Sequence, residues 1–186
     1  MSYDNLYQYL KEQIKNIPLS VSRPNASGFS HQRTNIYKTG KNKGKTHITK
    51  FGNKVQSMTL GDTTMRTKTR AEAEEQWGNN LQNRPINIKY KDLLIHLDTI
   101  AKEEFPDFKY SSITVNHNFL TLPHKDSQNV GESIIFGVGD YEGGELVVGE
   151  EKIDIKNKFF KFNGAKKEHY TFPFVGDRWS FVFYNL

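Results

Sequence analysis

The sequence predicts a mainly β fold with flanking helices, an α+β protein whose strands form a sandwich or barrel. Three observations point there. Helical spacing of apolar residues is confined to the first 109 residues. From Tyr110 onward the chain breaks into short alternating or apolar runs divided by turn residues. No apolar run approaches the roughly 18 residues of a membrane span.

Taken in order, Tyr3, Leu6, Tyr7, Leu10 and Ile14 recur at three-and-four spacing and predict an amphipathic helix over 3–16, ended by Pro18. Residues 19–53 are rich in Ser, Asn, Gly and Lys and predict a loop, most clearly at SRPNASG and KTGKNKGK. A short strand is expected over 55–60, closed by Gly61-Asp62. Strong helix formers over 70–77 predict a short helix, with Trp77 as an anchor and Gly78-Asn79-Asn80 as the stop. Leu93, Leu94, Leu97, Ile100, Ala101 and Phe105 give the most regular helical pattern, over 90–105, with Pro106 at its end. Strands are expected over 112–119, 133–138, 145–148, 152–155, 158–162, 168–172 and 179–184. Gly139-Asp140 and Glu142-Gly143-Gly144 read as turns between them. Helices precede strands, so they should buttress one face of a sheet. The expected organisation is one domain over 1–186, with a helical and basic part over 1–109 and the strands over 110–186.

Cysteine is absent, which excludes disulfides, thiolate metal sites and cysteine nucleophiles. The N-terminus lacks the apolar core and small-residue cleavage site of a signal peptide, so an intracellular location and no membrane association are expected. Charge is unevenly placed. Residues 1–70 carry 13 Lys/Arg against three Asp/Glu, whereas the remainder is mildly acidic within an overall net charge of +5. Arg33, Lys38, Lys41, Lys43, Lys45, Lys50 and Lys54 cluster with Tyr37, His47 and Phe51 between them. Such a segment could straddle phosphates and stack on an extruded base, which makes nucleic acid the expected partner. A solvated loop that carries charge for solubility is the alternative.

Chemistry concentrates in the last third. His124 and Asp126 are two residues apart, so a strand would point both into one cavity with Lys125 turned away. His169 follows 43 residues later on another expected strand. Two imidazoles and one carboxylate are the ligand types that hold a divalent iron on one face and leave the other open. Arg178 and Ser180 share a face of the last strand. A buried guanidinium needs a counter-charge, and a bidentate carboxylate ligand would supply it. An internal ion pair with Asp177, Asp140 or Glu145 is the alternative. Together these residues suggest an oxygen-activating, iron-dependent enzyme with a carboxylate-bearing co-substrate.

The segments HKD, EHY and GDRWS, in this order, resemble the iron(II)- and 2-oxoglutarate-dependent dioxygenases over residues 112–186. That resemblance implies a double-stranded β-helix of the jelly-roll type. It implies that His124, Asp126 and His169 ligate iron(II), and that Arg178 with Ser180 grips the distal carboxylate of 2-oxoglutarate, with O2 as the other substrate. NHNFLTLPHKDSQN followed by GDYEGGELVV is similar to the nucleic-acid branch that includes ten-eleven-translocation and base-J-type thymine hydroxylases, and to small viral and algal oxygenases. It implies hydroxylation of a nucleobase methyl group, 5-methylcytosine or thymine in DNA. In this setting Asn118 is a candidate for the co-substrate's chelating carboxylate. Within the same superfamily, hydroxylation of a prolyl, lysyl or asparaginyl side chain is the alternative. A nucleic-acid-binding jelly roll without catalysis is the other.

Remaining candidates have blander readings. His117 lies on the parity opposite to Asn116 and Asn118 and reads as surface or packing, Trp179 as packing, and Tyr141, Phe183 and Tyr184 as core near the pocket. Phosphate-loop, dinucleotide-binding and serine-hydrolase motifs are absent.

Overall fold

A computed structural model describes residues 2–20, 29–36, 38–52, 55–61 and 85–186. Helix α1 (Tyr3–Tyr9) starts where the Ser2 hydroxyl accepts the Asn5 N–H at 3.2 Å, an N-cap. It runs into a π-helical turn (Leu10–Ile14) whose widened bond joins Lys15 N–H to Leu10 O at 2.7 Å. Lys15 takes a left-handed φ of 55° and ends the helix before Pro18. A short helix α2 (Pro85–Lys89), which the sequence pattern did not separate, leads into α3 (Lys91–Glu104). Proline at its first position is pre-organised there and loses no bond. Helix α3 buries Leu93, Leu97, Ile100 and Ala101, the stripe expected from their spacing.

The strands are β1 (Leu19–Ser20), β2 (Phe29–Ile36), β3 (Thr46–Gly52), β4 (Val55–Gly61), β5 (Ser112–His117), β6 (Val130–Gly143), β7 (Leu146–Val148), β8 (Glu151–Ile153), β9 (Phe160–Phe162), β10 (His169–Thr171) and β11 (Phe174–Asn185). A six-stranded sheet has the order β1-β4-β5-β11-β6-β9, and a three-stranded sheet has the order β10-β7-β8. An isolated antiparallel bridge from His124 to His169 adds the 124 segment beside β10. From β5 onward the chain therefore alternates between the sheets: large, small, large, small, small, large, small, large. This eight-step winding, with every pair of named strands antiparallel, is that of a jelly roll.

Two apolar cores follow from strand alternation. On the outer face of the large sheet, Met58, Leu60, Ile113, Val115, Phe136, Phe181 and Phe183 pack with Leu6, Leu10, Leu93 and Leu97 of the helices. Each such fully buried side chain contributes about 1.5–3 kcal/mol. The helices thus buttress one face, as expected. On the inner face, Ile135, Leu146, Val148, Ile155 and Phe162 form a smaller core between the sheets.

Three expectations need correction. Residues 29–36 and 46–52 are not loop but an antiparallel hairpin, paired from Phe29↔Gly52 to Ile36↔Thr46. Its residues are mostly polar, so no alternating apolar face marked it, and main-chain pairing defines it instead. Leu19–Ser20, also in the stretch expected as loop, is β1, and it joins the large sheet beside β4, the strand expected over 55–60. Gly139-Asp140 is not a turn but lies inside β6, where a Cβ on Gly139 would stand 2.0 Å from Asp177 O. Glycine serves close strand approach there. The turn falls at Gly143-Gly144, both with left-handed φ. The helix expected over 70–77, with Trp77, lies outside the described residues. Among the described residues no helix is long and apolar enough to cross a membrane.

Candidate metal centre and anion pocket

His124, Asp126 and His169 converge, each offering one donor atom within 4.8 Å of the others. The 124 segment reaches β10 through two main-chain bonds, His124 N–H to His169 O at 3.1 Å and His169 N–H to His124 O at 2.9 Å. Asp126 N–H donates to Gly164 O at 2.9 Å, which ties the carboxylate to the turn before β10. His124 Nε2 lies 3.5 Å from Asp126 Oδ1, and His169 Nε2 lies 3.4 Å from Asp126 Oδ2.

The second nitrogen of each ring settles its tautomer. His124 Nδ1 is 2.7 Å from Leu122 O, and His169 Nδ1 is 3.1 Å from Lys167 O. A carbonyl only accepts, so each Nδ1 carries a proton, and in the neutral ring it is Nε2 that presents a lone pair. That arrangement orients metal-ligating histidines generally. Two such nitrogens and a carboxylate fit a divalent transition metal held on one face.

Two residues support the ligands: Gly164, which no sequence signal marked, and Asn129, the asparagine shortly after HKD in the resemblance. A Cβ on Gly164 would sit 3.1 Å from Asp126 Oδ2 and 3.3 Å from His169 Cε1, so glycine leaves the ligands room. Asn129 Nδ2 donates to Asp126 Oδ2 at 3.4 Å. Lys125 is exposed, as strand parity implied.

Arg178 and Ser180 are both buried and face the interior between the sheets, opposite Gly139 and Gly137 of β6. Arg178 Nε donates to Gly144 O at 3.1 Å. Its guanidinium lies over both the Tyr141 and Phe174 rings, 5.6 and 5.4 Å from their centroids, and the two rings meet edge to face at 6.4 Å. A Cβ on Gly144 would stand 2.7 Å from Arg178 Nε, so that position must stay bare. Among the described residues no ion pair within 4.0 Å includes Arg178, although the Glu145 charge is near enough to favour its protonated form. Burial lowers its pKa from the ordinary value. The Tyr141 hydroxyl is buried beside it, close enough for the guanidinium to act on it by charge and by hydrogen bonding. Burial raises the pKa of that phenol, opposed by the Arg178 charge. A guanidinium, a phenol and the Ser180 hydroxyl inside one barrel form a donor-rich socket suited to a carboxylate.

Asn118 is not brought into this interior. Strand β5 ends at His117, one residue earlier than strand parity required, and Asn118 turns away with φ 48°. Its side-chain oxygen accepts the Arg178 main-chain N–H at 2.7 Å. Asn116 is the buried asparagine of this strand, its Oδ1 accepting the Ser57 hydroxyl at 2.7 Å. Trp179 packs in the outer core as expected. His117 is buried rather than on the surface. It stacks on Trp179 at 4.0 Å and meets Asp177 Oδ1 at 2.6 Å. Burial alone would raise the Asp177 pKa, but hydrogen bonds from His117, Tyr7 and Asn118 outweigh it and hold the carboxyl below its ordinary value.

The expected basic cluster is only partly described. Lys38, Lys41, Lys43 and Lys45 are exposed around the turn joining β2 to β3. Arg33 lies on β2 opposite Thr49, and Lys50 on β3 opposite Gln32.

No family model matches this chain, and no curated protein matches it. Among solved structures, it is similar to NgTET1 in complex with 5mC DNA, at 17% identity and a TM-score of 0.44, over 69% of this chain and 60% of that one. It is also similar to an oxidoreductase of the 2OG-Fe(II) oxygenase family from Burkholderia pseudomallei, at 12% identity and a TM-score of 0.39, over 99% of this chain and 90% of that one. The chain thus spans 60% of the length of the first of these structures. Likenesses this distant identify no family, and the geometry of the site carries the reading of its chemistry.

Proposed function

We propose that the protein is an iron(II)/2-oxoglutarate-dependent dioxygenase that hydroxylates a nucleobase methyl group, 5-methylcytosine or thymine in DNA. The observation that carries the chemistry is the pairing of two sites in one barrel. Three metal-ligand atoms converge at one end. A buried guanidinium without an ion-paired carboxylate among the described residues sits in the same interior.

In this reading His124, Asp126 and His169 hold iron(II). When bound, the metal with 2-oxoglutarate and O2 supplies the oxidising power for C–H hydroxylation, and succinate and CO2 are released. The chain's own residues do the rest. Arg178 and Ser180 bind the distal carboxylate, with the Tyr141 hydroxyl as a third donor. Leu122 O and Lys167 O hold the imidazoles in the ligating tautomer. Ile135, Leu146, Val148, Ile155 and Phe162 exclude water from the space between the sheets. Nucleic acid as the partner is supported by the exposed lysines of the hairpin turn and by the basic first third of the chain. A base stacked in a duplex could not reach a ligand set inside a barrel, so duplex substrate would be extruded.

The test is a substrate panel. Iron(II), 2-oxoglutarate and O2 are supplied with methylated or thymine-containing oligonucleotides and with peptides, and succinate and product mass are followed. A hydroxylated oligonucleotide is expected. Product on peptide alone would reassign the substrate to a protein side chain. DNA binding without iron retention or 2-oxoglutarate consumption would leave a binding module.

A further inference from the structure

We infer that Asn118 is a positioning residue for the Arg178 guanidinium, acting through the arginine's main chain. The inference rests on the proposed co-substrate role of Arg178.

Strand β11 lies between β5 and β6. Both main-chain polar groups of Arg178 point toward β5, where the strand has just ended. Asn118 meets both. Its N–H donates to Arg178 O at 2.8 Å, and its Oδ1 accepts the Arg178 N–H at 2.7 Å. A regular antiparallel neighbour would use its own carbonyl for the second bond. Here the backbone turns away at φ 48°, and the side-chain oxygen stands in for the missing carbonyl. Left-handed φ is tolerated best by Gly, Asn and Asp, and of these asparagine also offers a neutral acceptor with a donor beside it.

The amide is itself oriented. Asn118 Nδ2 lies 3.4 Å from Asp177 Oδ1, an acceptor, so Oδ1 is the atom directed at Arg178. Asp177 is held in turn by His117 Nε2 at 2.6 Å and by the Tyr7 hydroxyl of α1 at 3.0 Å. The chain Tyr7–Asp177–Asn118 therefore fixes the point from which the Arg178 side chain departs. At the other end of that side chain, Gly144 O holds Nε. With base and neck both pinned, the guanidinium is aimed before any ligand arrives.

Calorimetry with manganese(II)-loaded protein tests this without turnover. Two keto acids serve as probes: 2-oxoglutarate, and 2-oxobutanoate, which has the same chelating end but no distal carboxylate. Asn118→Gly keeps the left-handed backbone and the main-chain N–H and removes the side-chain amide, both its acceptor for Arg178 and its donor toward Asp177. It is expected to weaken 2-oxoglutarate by about tenfold, the worth of one well-placed hydrogen bond. Manganese(II) and 2-oxobutanoate affinities should stay unchanged. Asn118→Asp, which restores an acceptor oxygen, should recover part of the loss. Wild-type 2-oxoglutarate affinity in Asn118→Gly, or an equal loss for both keto acids, would overturn the inference and leave the co-substrate reading standing. Wild-type protein that binds manganese(II) yet does not prefer 2-oxoglutarate over 2-oxobutanoate would overturn that reading, and the inference with it.

Discussion

The two ends of the barrel interior are built to opposite specifications. At the candidate metal end two of the three ligands stand on the 124 segment and meet solvent, the Asp126 side chain being 30% exposed and that of His124 19%, while His169 on β10 is 5% exposed. At the other end Arg178 is 2% exposed, on a long central strand, over the rings of Tyr141 and Phe174. One end is partly open to solvent, and the other holds a buried guanidinium on a central strand. In the proposed reading the difference is a division of labour, the strand binding the co-substrate and the more open end holding the metal where a substrate can reach it.

The comparison breaks most completely at the ligands. His124→Ala or Asp126→Ala is expected to abolish stoichiometric iron(II) binding and turnover while the thermal transition is retained, because neither residue belongs to either apolar core. Metal analysis and calorimetric melting would check both halves. At the opposite end, Arg178→Ala should raise the 2-oxoglutarate requirement by about 30-fold or more, the scale of a lost buried charge-assisted pair. Iron(II) affinity should not move, so parallel titrations of metal and keto acid separate the two ends. Gly164→Ala sharpens the metal end alone. Its Cβ would crowd Asp126 Oδ2 from 3.1 Å, and a drop of about tenfold in iron(II) affinity is expected, as for other changes around metal ligands.

Smaller effects lie away from the barrel interior. Replacing Lys41, Lys43 and Lys45 with Gln should reduce the slope of log affinity for DNA against log salt by about two to three. An unchanged slope would remove the hairpin turn from the interface. Last comes pH. The Asp177 pKa is held below its ordinary value, so its stabilising contribution is complete above roughly pH 4, the unfolded carboxylate value, and fades as pH falls through the folded value. The melting temperature of Asp177→Asn should therefore trail that of the native protein by a constant margin from about pH 6 to 8, and the margin should narrow below about pH 4. A margin that is flat to pH 3 would contradict the assigned sign.

Much of the reactive part of the fold was legible because it depends on short-range alternation. HKD gives two inward side chains and one outward lysine from strand parity alone, and RWS does the same for the socket and the outer core. The helical stripe of α3 and the strand-rich C-terminal part follow from similarly local patterns. What was missed depends on the third dimension. Asn118 was read by parity, but β5 stops one residue short and the backbone turns left-handed, so its amide serves Arg178 from outside the interior. Gly139 looked like punctuation, yet it marks the closeness of Asp177 O. The β2–β3 hairpin has no apolar face to announce it. Gly164 matters only because the turn before β10 folds back under Asp126. The bond from Tyr7 to Asp177 joins residues 170 positions apart, beyond any local pattern.

The most direct test of the central claim is an anaerobic calorimetric titration of iron(II) and then 2-oxoglutarate into the native protein and into Arg178→Ala. The expected result is one iron per chain in both proteins, followed by tight, metal-dependent 2-oxoglutarate binding in the native protein that is largely lost in the variant. Failure of the native protein to hold iron, or a keto acid affinity indifferent to Arg178, would contradict the account.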